Sequence, residues 1–389
     1  MGKYYIIAGE ASGDLHAAAL IEQIKRREPE ATFSGLGGDR MQAAGCRLYR
    51  HINQMAFMAF VAVIRHWREV RDNFRIAEES LLNDQPDALI LIDYPSFNLR
   101  MAAFCRKHLP ATKIYYYVPP KVWAWKRRRI HRIARLCDRV LGIFPFEPAF
   151  YARYGYSCEY VGNPTAEEIQ QRSGLTAKRS YSPKGDPTAK RSYSNAVLQP
   201  EGRSSLALLP GSRRSEISHC LGRMLEAARR FPGYTITVCA APGIEDTFYT
   251  PYLREGETLT RDTYGAVQKA SAAIVNSGTA TLETALLGCP QVAVYHLACS
   301  RLIGLIRWAQ PLLFSIKHFT LVNIIEGREV IKECIANDFT VDKVAAELDR
   351  LLHDEEYKKE MLASYEHLRS LLGDKPASAT AARIITSKP

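Results

Sequence analysis

The sequence lacks several patterns that assign a protein to a class at once. Its nine cysteines are scattered, with no Cys-x-x-Cys pair and no His–Cys cluster at metal-ligand spacing. We therefore expect reduced thiols in a cytoplasmic protein, not a disulfide framework or a zinc site. No segment approaches the ~20 consecutive apolar residues that a membrane-spanning helix needs. We also expect no signal peptide, since the chain passes directly from Met-Gly-Lys into a strand-like run.

Motifs for common catalytic chemistries are missing as well. The sequence contains no Asp-x-Asp, the usual carboxylate clamp for a metal-bound nucleotide diphosphate, and no His-Glu-x-x-His or serine nucleophile elbow. We therefore predict that the protein uses no metal and no cofactor. A diphosphate leaving group would then be stabilised by helix N-termini and fixed basic side chains.

The overall composition is that of an ordinary globular protein with an excess of positive charge. The 389 residues suffice for two domains. With 52 basic and 41 acidic residues the formal net charge is +11. This excess indicates an acidic partner: nucleic acid, an anionic membrane surface or a phosphorylated substrate.

Short apolar runs alternate with amphipathic helical patterns along most of the chain. Such alternation is typical of βαβ units and parallel sheets, and two blocks of it predict an α/β protein with two doubly wound, Rossmann-like domains facing a cleft. The predicted strands are residues 4–8, 32–34, 88–92, 113–117, 140–143 and 159–161 in the first half, and 206–209, 235–239, 272–275 and 291–295 in the second.

A segment rich in Ser, Lys, Pro and Gly separates the two blocks. Within it, residues 176–182 recur as residues 188–194, which indicates a duplication in a surface loop. A membrane contact through its basic residues is the alternative. The predicted organisation is an N-terminal domain 1–173, a variable linker 174–205 and a C-terminal nucleotide-binding domain 206–340. The helices of about 341–389 are expected to pack back on the first domain.

Two glycine loops in the second half predict an anion site. Each follows a strand-like run and opens into a helical pattern, where Gly and Ser let backbone N–H groups approach a phosphate. Arg213 adds a fixed positive charge, and Glu283 lies where it can bond ribose hydroxyls. The pair predicts a nucleotide diphosphate at the carboxyl edge of a parallel sheet. The predicted binding residues are Pro210, Gly211, Ser212, Arg213, Glu216, Ser277, Gly278, Thr279, Ala280, Thr281 and Glu283.

The first strand ends in a less specific glycine loop, residues 8–14. It is not the Gly-x-Gly-x-x-Gly fingerprint, and only Glu28 or Glu30 lies where a dinucleotide site has its acidic residue, so a nicotinamide cofactor is disfavoured. Two interpretations stay open. In one, the loop binds substrate through Gly9, Glu10, Ser12 and Gly13; in the other, it is a structural turn in which Ser12 or Asp14 caps the helix.

Asp93 is the candidate general base. It stands at the last position of a buried strand, and Pro95 then ends the strand, so the carboxylate is expected at the sheet edge where ligands bind. A carboxylate there suits deprotonation of a sugar hydroxyl, and burial raises such a pKa toward the working pH. The alternative is that Asp93 only caps the following turn. Asn98 is a candidate orienting partner, so the predicted catalytic residues are Asp93, Glu10 and Asn98.

A basic, aromatic segment and an apolar run predict a lipid-facing surface. The aromatic residues of 115–125 are followed by Lys126, Arg127, Arg128 and Arg129, which fit anionic lipid better than nucleic acid, since no RNA-binding motif accompanies them. The alternative is a solvated helix face. Residues 55–64 form either core or an exposed patch for acyl chains. The predicted lipid contacts here are Met58, Phe60, Val61, Ile64 and Trp67.

In its motifs and their order the sequence resembles the lipid-A-disaccharide synthase family. The resemblance covers nearly the whole chain except the linker. Its most specific motifs are Ala8-Gly-Glu-Ala-Ser-Gly-Asp14 and Val122-Trp-Ala-Trp125. The other segments that carry it are residues 37–42, 92–98, 145–147, 209–213, 277–283 and 327–330, with Asn323.

The resemblance implies a GT-B glycosyltransferase with inverting, metal-independent chemistry. The implied reaction joins UDP-2,3-diacylglucosamine to 2,3-diacylglucosamine 1-phosphate and gives a β-(1→6) disaccharide 1-phosphate and UDP, an early step of lipid A and lipopolysaccharide synthesis. Asp93 matches the family's proposed base, and Arg213, Glu283 and Asn323 match residues that serve the nucleotide. The implied location is the cytoplasmic face of the inner membrane, with peripheral attachment. No nucleic-acid partner is expected, and a homodimer is compatible with the sequence.

Some positions depart from the family pattern. Ala59 and Ala62 replace a Gly and a Glu, Pro119 replaces a Ser and Asn163 replaces a His. These departures bear on acceptor or acyl-chain preference. Two other functions stay open: a GT-B relative that acts on soluble UDP-GlcNAc, such as a 2-epimerase, and a membrane- or nucleic-acid-binding protein without catalysis.

Overall fold

A computed structural model describes residues 2–55, 67–124, 126–172, 205–296 and 318–387. Its described residues divide into two compact units. The first comprises those up to Glu167 together with those from Leu372 onward, and the second those from Glu168 to Leu371.

The first unit is built on a seven-stranded parallel sheet with the order β3-β2-β1-β4-β5-β6-β7. Its central strands are apolar on both faces, as strands covered by helices on both sides must be; all five residues of β4 are buried. The strands are β1 (Lys3–Ala8), β2 (Thr32–Gly37), β3 (Arg47–His51), β4 (Ala88–Ile92), β5 (Lys113–Tyr117), β6 (Arg139–Gly142) and β7 (Glu159–Tyr160).

Helices connect these strands and cover the sheet. They are α1 (Ala11–Arg27), α2 (Asp39–Ala43), α3 (Trp67–Asp84), α4 (Pro95–His108), α5 (Arg129–Leu136), α6 (Glu147–Ala152) and α7 (Pro164–Arg172). The last described helix, α14 (Ala377–Thr386), packs on α1. The Arg27 Nε donates to the Thr386 hydroxyl at 2.9 Å, and both the backbone N–H and the hydroxyl of Ser378 bond to the Glu167 carboxylate.

The second unit contains a six-stranded parallel sheet with the order β10-β9-β8-β11-β12-β13. Its strands are β8 (Ser205–Leu209), β9 (Thr235–Cys239), β10 (Thr258–Thr260), β11 (Ala272–Asn276), β12 (Gln291–Tyr295) and β13 (Lys332–Ile335). Its helices are α8 (Arg214–Ala228), α9 (Thr263–Lys269), α10 (Thr279–Leu286), α11 (Leu321–Glu326), α12 (Val341–His353) and α13 (Glu355–Leu372). Helix α12 packs on α8 and on β12.

The α/β class and the two parallel sheets predicted from the sequence are confirmed, with three additional strands. Each of the ten predicted strands is present, whereas β3, β10 and β13 were not predicted. All three lie at sheet edges and are only partly buried. An edge strand covers less core, so its sequence need not carry the apolar run that marks a central strand.

Candidate active site

Each sheet has one point at which the strand order reverses, and the predicted loops lie at these points. In the first sheet the reversal is between β1 and β4, where Ala8 pairs with Ile92. In the second it is between β8 and β11, where Leu209 pairs with Val275. Ligands of open α/β sheets bind outside the carboxyl ends of the strands at such switch points. The loops that begin at residues 9, 93, 210 and 277 therefore lie where this rule predicts binding sites.

Asp93 lies in an unusual backbone turn directly after β4. Asp93 and Tyr94 are both left-handed, with φ of 44° and 46°, a conformation that is rare for residues other than glycine and is found at functional sites. The Asn98 amide donates to the carbonyls of Ile92 (3.1 Å) and Asp93 (2.7 Å). The Tyr116 hydroxyl also donates to the Asp93 carbonyl, at 2.7 Å. Three hydrogen bonds to backbone carbonyls thus hold the left-handed turn that carries the carboxylate.

The surroundings of the Asp93 carboxyl raise its pKa above the ordinary value. Burial is the main cause, and the negative charge of Glu10 adds to it. The Lys121 ammonium and a hydrogen bond from the Tyr94 backbone oppose the shift. A raised pKa makes the carboxylate a better proton acceptor near neutral pH, as a general base requires.

The loop after β1 faces the Asp93 turn. Glu10 is exposed and is the N-cap residue of α1, and its side chain makes no capping bond. A Cβ atom on Gly9 would lie 2.3 Å from Tyr94 Cγ, so only glycine fits under that ring. Gly13 is buried against Ala8 and Ile92, whereas Ser12 is exposed. These contacts bring the first loop and the Asp93 turn together at one sheet edge.

Asp14, the last residue of this loop motif, caps a different helix from the one suggested by the sequence. Its carboxylate accepts the backbone N–H groups of Gly38 (2.7 Å), Met41 (3.0 Å) and Arg40 (3.1 Å) at the start of α2. Neither Ser12 nor Asp14 caps α1, whose N-cap residue is Glu10. Asp14 therefore links α1 to the loop after β2.

The loop after β8 is a tight turn closed by Glu216. Gly211 has φ of 119°, which favours glycine. The Ser212 backbone N–H donates to Glu216 Oε2 at 3.0 Å, and Arg213 Nη1 lies 3.4 Å from Glu216 Oε1. Arg213 is the N-cap residue of α8, and 63% of its side chain is exposed. The guanidinium is thus accessible at the positive end of a 15-residue helix.

The loop after β11 presents an open helix N-terminus. Gly278 is the N-cap residue of α10, no side chain caps it, and a Cβ atom there would meet nothing within 4 Å. Gly278 and Thr279 are exposed, Ser277 and Ala280 are half-buried, and the buried Thr281 hydroxyl donates to the Gly278 carbonyl at 2.9 Å. Glu283 is half-buried on α10. An accessible backbone of this kind suits the approach of a phosphate.

Asn323 lies on α11 and is fully buried. Its amide nitrogen donates to the Ile331 carbonyl and to Glu333 Oε1, both at 2.9 Å, and its amide oxygen accepts the N–H groups of Val330 (2.8 Å) and Ile331 (3.0 Å). The side chain therefore fastens the turn that leads into β13. A role toward a nucleotide remains a prediction from the family resemblance.

Two residues to which the sequence assigned no role have contacts around Asp93 and the tryptophan motif. One is Tyr116, which bonds to the Asp93 carbonyl. The other is Glu147, which is 1% exposed and accepts the Trp123 indole N–H at 3.2 Å. Burial raises the Glu147 pKa to about 7. The motif around residues 145–147 marked the position of Glu147, but the sequence does not indicate that it meets the tryptophan motif in space.

The basic run after this segment is accessible. Lys126, Arg127 and Arg128 are exposed, and Arg129 Nη2 donates to the Ser96 hydroxyl at 3.2 Å. Met58, Phe60, Val61 and Ile64 lie outside the described residues, as do the departures Ala59 and Ala62. Trp67 begins α3, but its side chain is likewise outside the described part. The prediction of a lipid-facing apolar patch therefore stays a prediction.

The other two departures from the family pattern, Asn163 and Pro119, lie within the described residues. Asn163 is buried; its amide donates to the Ile143 carbonyl at 3.2 Å and accepts the Ala166 N–H at 3.1 Å, which caps α7. Pro119 follows Val118, whose φ of 58° is left-handed. Asn163 thus has a capping role of its own.

Among the residues that the structure describes, none of the helices combines the length and the apolar character that a membrane span requires. Within the same residues, no group of three or more His, Cys, Asp or Glu side chains is arranged to hold a metal ion.

Comparison with known proteins connects this geometry to a family. Residues 4–384 match a family model described as lipid-A-disaccharide synthetase. The lipid-A-disaccharide synthase of Trichlorobacter lovleyi is 35% identical over 98% of this chain and 96% of its own length. The enzyme of the same name from Geobacter sulfurreducens is 34% identical over 98% of this chain and 95% of its own length.

Solved structures with low sequence identity share the fold. A UDP-GlcNAc 2-epimerase from Methanocaldococcus jannaschii, in complex with UDP-GlcNAc and UDP, superposes with a TM-score of 0.62 at 11% identity and covers 99% of each chain. The glycotransferase of kitacinnamycin gives a TM-score of 0.57 at 12% identity, covering 99% of this chain and 98% of its own. At identities this low, the similarity supports a shared fold and not a shared function.

Proposed function

The chain belongs to the lipid-A-disaccharide synthase family and is a glycosyltransferase of lipid A synthesis, and from this premise we propose which substrates it joins and which residues act. The donor is UDP-2,3-diacylglucosamine and the acceptor is 2,3-diacylglucosamine 1-phosphate. The products are the β-(1→6) disaccharide 1-phosphate and UDP. Asp93 supports the proposal most directly, because a half-buried carboxylate with a raised pKa stands at the switch point of the first sheet.

The first unit is proposed to activate the acceptor. Asp93 accepts the proton of the acceptor's 6-hydroxyl as that oxygen bonds to the anomeric carbon of the donor. Asn98 and Tyr116 hold the Asp93 backbone in its left-handed turn, so the carboxylate need not reorganise during the step. Glu10 supplies a second negative charge that keeps the Asp93 pKa raised.

The second unit is proposed to hold the donor. As the new glycosidic bond forms, the bond from the anomeric carbon to the diphosphate oxygen breaks, and its electron pair leaves with UDP. The exposed turn after Gly278 and the Arg213 guanidinium would stabilise the developing charge. A single in-line displacement of this kind inverts the anomeric centre and needs one base and no covalent intermediate.

The direct test is incubation of the purified protein with the two diacylated substrates. Mass spectrometry should detect the disaccharide 1-phosphate, and the released UDP should equal it in amount. Donor alone should give neither product. Turnover of soluble UDP-GlcNAc without disaccharide formation would instead favour the 2-epimerase alternative. That alternative is disfavoured at present because the epimerase similarity is 11% identity, against 34–35% for the two disaccharide synthases.

Metal removal is expected to leave the reaction unchanged. The predicted diphosphate contacts are backbone N–H groups and Arg213, and the sequence has no Asp-x-Asp clamp. Initial rates measured with excess EDTA and with added Mg²⁺ should agree within about twofold, since fixed dipoles supply the stabilisation. Loss of activity in EDTA that Mg²⁺ restores would contradict the metal-free site.

We propose that the protein works at the cytoplasmic face of the inner membrane, because both substrates carry acyl chains. The exposed run of Lys126, Arg127 and Arg128, with Arg129 beside it, would contact anionic headgroups. Replacing all four by serine should weaken binding to phosphatidylglycerol vesicles, with each basic residue near the surface contributing about 1 kcal/mol. Added salt should reduce the difference between the variant and the unmodified protein.

The control for that experiment removes the same charge elsewhere. Four exposed basic residues of the second unit pair with carboxylates: Arg230, Arg261, Lys332 and Lys343. Their replacement by serine should leave vesicle binding nearly unchanged. Equal losses for both variants would mean that net charge alone drives binding, and the basic run would then be an ordinary solvated surface.

A further inference from the structure

Glu147 is a buried carboxylate that the proposed reaction does not use. It begins α6, and its Oε2 accepts the backbone N–H groups of Ile143 (2.8 Å) and Phe144 (2.9 Å) just after β6. Its Oε1 accepts the Trp123 indole N–H at 3.2 Å. A Cβ atom on Gly142 would lie 2.8 Å from Glu147 Oε2, so the site is tightly enclosed. One carboxylate therefore joins the end of β6 to the loop that follows β5.

Trp123 is fixed on its other sides as well. Its ring meets Phe144 and Phe146 edge-on, with centroids 5.9 and 5.1 Å away, and it is 5% exposed. The turn that carries it is closed by a hydrogen bond from the Ala124 N–H to the Lys121 carbonyl at 3.0 Å. The indole N–H reaches Glu147 from this packed position, so the bond anchors the whole turn.

The opposite end of the same segment is attached to Asp93. The Asp93 backbone N–H donates to the Val118 carbonyl at 3.1 Å, and Val118 is itself left-handed. Residues 118–124 thus run from a contact with Asp93 to a contact with Glu147. Lys121 lies between the two attachments. Burial lowers the pKa of its ammonium, whereas the negative charges of Asp93, Glu147 and Glu10 raise it.

We propose that Glu147 is a positioning residue, whose carboxylate anchors the segment 118–124 through Trp123 and so keeps the Lys121 ammonium beside Asp93. The inference rests on the proposed function in one respect, the role of Asp93 as base. It adds a residue that acts through the loop and does not touch the substrate.

The Asp93 and Glu147 carboxylates each have charged or titratable groups around them, and Lys121 acts on both. Asp93 is faced by Glu10 from the loop after β1 and by Lys121 from the loop after β5. The Tyr116 hydroxyl of β5 also faces it, and the Asp93 charge adds to the effect of burial in raising the Tyr116 pKa. Glu147 is faced by Lys121 and by three neutral groups whose pKa values its negative charge helps to raise, those of Tyr151, Cys158 and Tyr160. Lys121 is the cation common to the two, and it lowers the pKa of each carboxyl. Displacing Lys121 therefore raises the Asp93 pKa further.

The test is the Glu147→Gln substitution in the full-length protein. The glutamine oxygen can still accept the N–H groups of Ile143 and Phe144, but its NH₂ group then faces the indole N–H, so the bond to Trp123 is lost. The acid limb of the kcat/KM profile should move up by about one pH unit, because a cation is displaced from Asp93. The dissociation constant for UDP should not change.

Trp123→Phe removes the same hydrogen bond from the other side and leaves the buried carboxylate in place. It should shift the acid limb in the same direction, and the double variant should be no worse than the more impaired single variant. Tyr151→Phe is the matched control, because this buried hydroxyl has no hydrogen-bond partner among the described residues. Its profile should equal that of the unmodified protein.

Hydrogen exchange gives a measurement that does not depend on activity. Amides of residues 118–124 should exchange faster in Glu147→Gln and in Trp123→Phe than in Tyr151→Phe. Unchanged exchange, or additive effects in the double variant, would overturn the anchoring. An inactive Asp93→Asn variant combined with an unmoved acid limb in Glu147→Gln would overturn this inference alone. An active Asp93→Asn variant would instead overturn the assignment of the base.

Discussion

The Asp93→Asn substitution is expected to reduce disaccharide formation by about 10²–10⁴-fold, the usual contribution of a positioned general base. Asparagine has nearly the same size and tolerates the left-handed backbone at this position better than most residues. The turn held by Asn98 and Tyr116 should therefore persist. UDP binding, measured by calorimetry, should be unaffected, because the loops proposed to bind the diphosphate belong to the other unit.

Asp87→Asn is the matched control. Asp87 precedes the same strand, β4, at the opposite edge of the sheet, where its carboxylate accepts the Lys3 backbone N–H at 2.8 Å. An asparagine oxygen can still accept that bond, so this variant should retain full turnover. If Asp93→Asn keeps turnover within a few-fold of the unmodified protein, Asp93 is not the base.

The raised pKa of Asp93 also sets the direction of the pH dependence. The base acts only when ionised, so activity should fall as the pH is lowered through its pKa. Because burial and Glu10 raise that pKa, the loss should begin at a higher pH than for an exposed aspartate. Residual activity of Asp93→Asn should not show this acid limb.

The Arg213→Gln substitution is expected to lower kcat by about 10²–10³-fold, as removal of one preorganised charge-stabilising donor does. Glutamine keeps most of the side-chain length but removes the charge at the N-terminus of α8. The Ser212–Glu216 bond should keep the turn in place. The affinity for UDP should fall as well, since the diphosphate carries the charge that Arg213 would meet.

Comparing the binding of uridine with that of UDP tests whether Arg213 contacts the diphosphate. A variant that has lost only a diphosphate contact should bind uridine as well as the unmodified protein does, and should bind UDP less well. Arg230→Gln removes an equal charge just beyond the other end of α8, where Arg230 pairs with Asp342, and should affect neither ligand. A parallel loss for uridine and UDP would indicate a damaged domain and not a diphosphate contact.

The central strands could be read from the sequence because burial imposes a pattern. Strands such as β4 and β11 are buried at every position, so they appear as continuous apolar runs bounded by turn residues. The edge strands β3, β10 and β13 were missed because solvent covers part of them and permits polar residues. These strands form by pairing with a neighbouring strand, and the local sequence pattern does not reveal that pairing.

The candidate site, like the strands, has parts that the sequence could predict and parts that it could not. Asp93 and the two glycine loops of the second unit could be proposed as site residues from the sequence, because strand ends and glycine turns leave local signals. Capping of the following helix by Ser12 or Asp14 was one of two interpretations of the first loop, but the helix that Asp14 caps is α2, which starts 25 residues farther along the chain. Glu147 and Trp123 stand 24 residues apart in sequence and meet only when β5 and β6 pair in the sheet.

The sequence alone therefore determined the α/β class and the family, and it supplied the candidate site residues, because short segments of the chain carry the patterns for all three. Tertiary structure decided which side chains support them. The left-handed turn at Asp93, the hydrogen bonds from Asn98 and Tyr116, and the anchoring of Trp123 by Glu147 all depend on strand pairing and burial. A buried polar group needs a hydrogen-bond partner, and the fold can supply that partner from a residue far away in the sequence. No local sequence pattern records which residue this is.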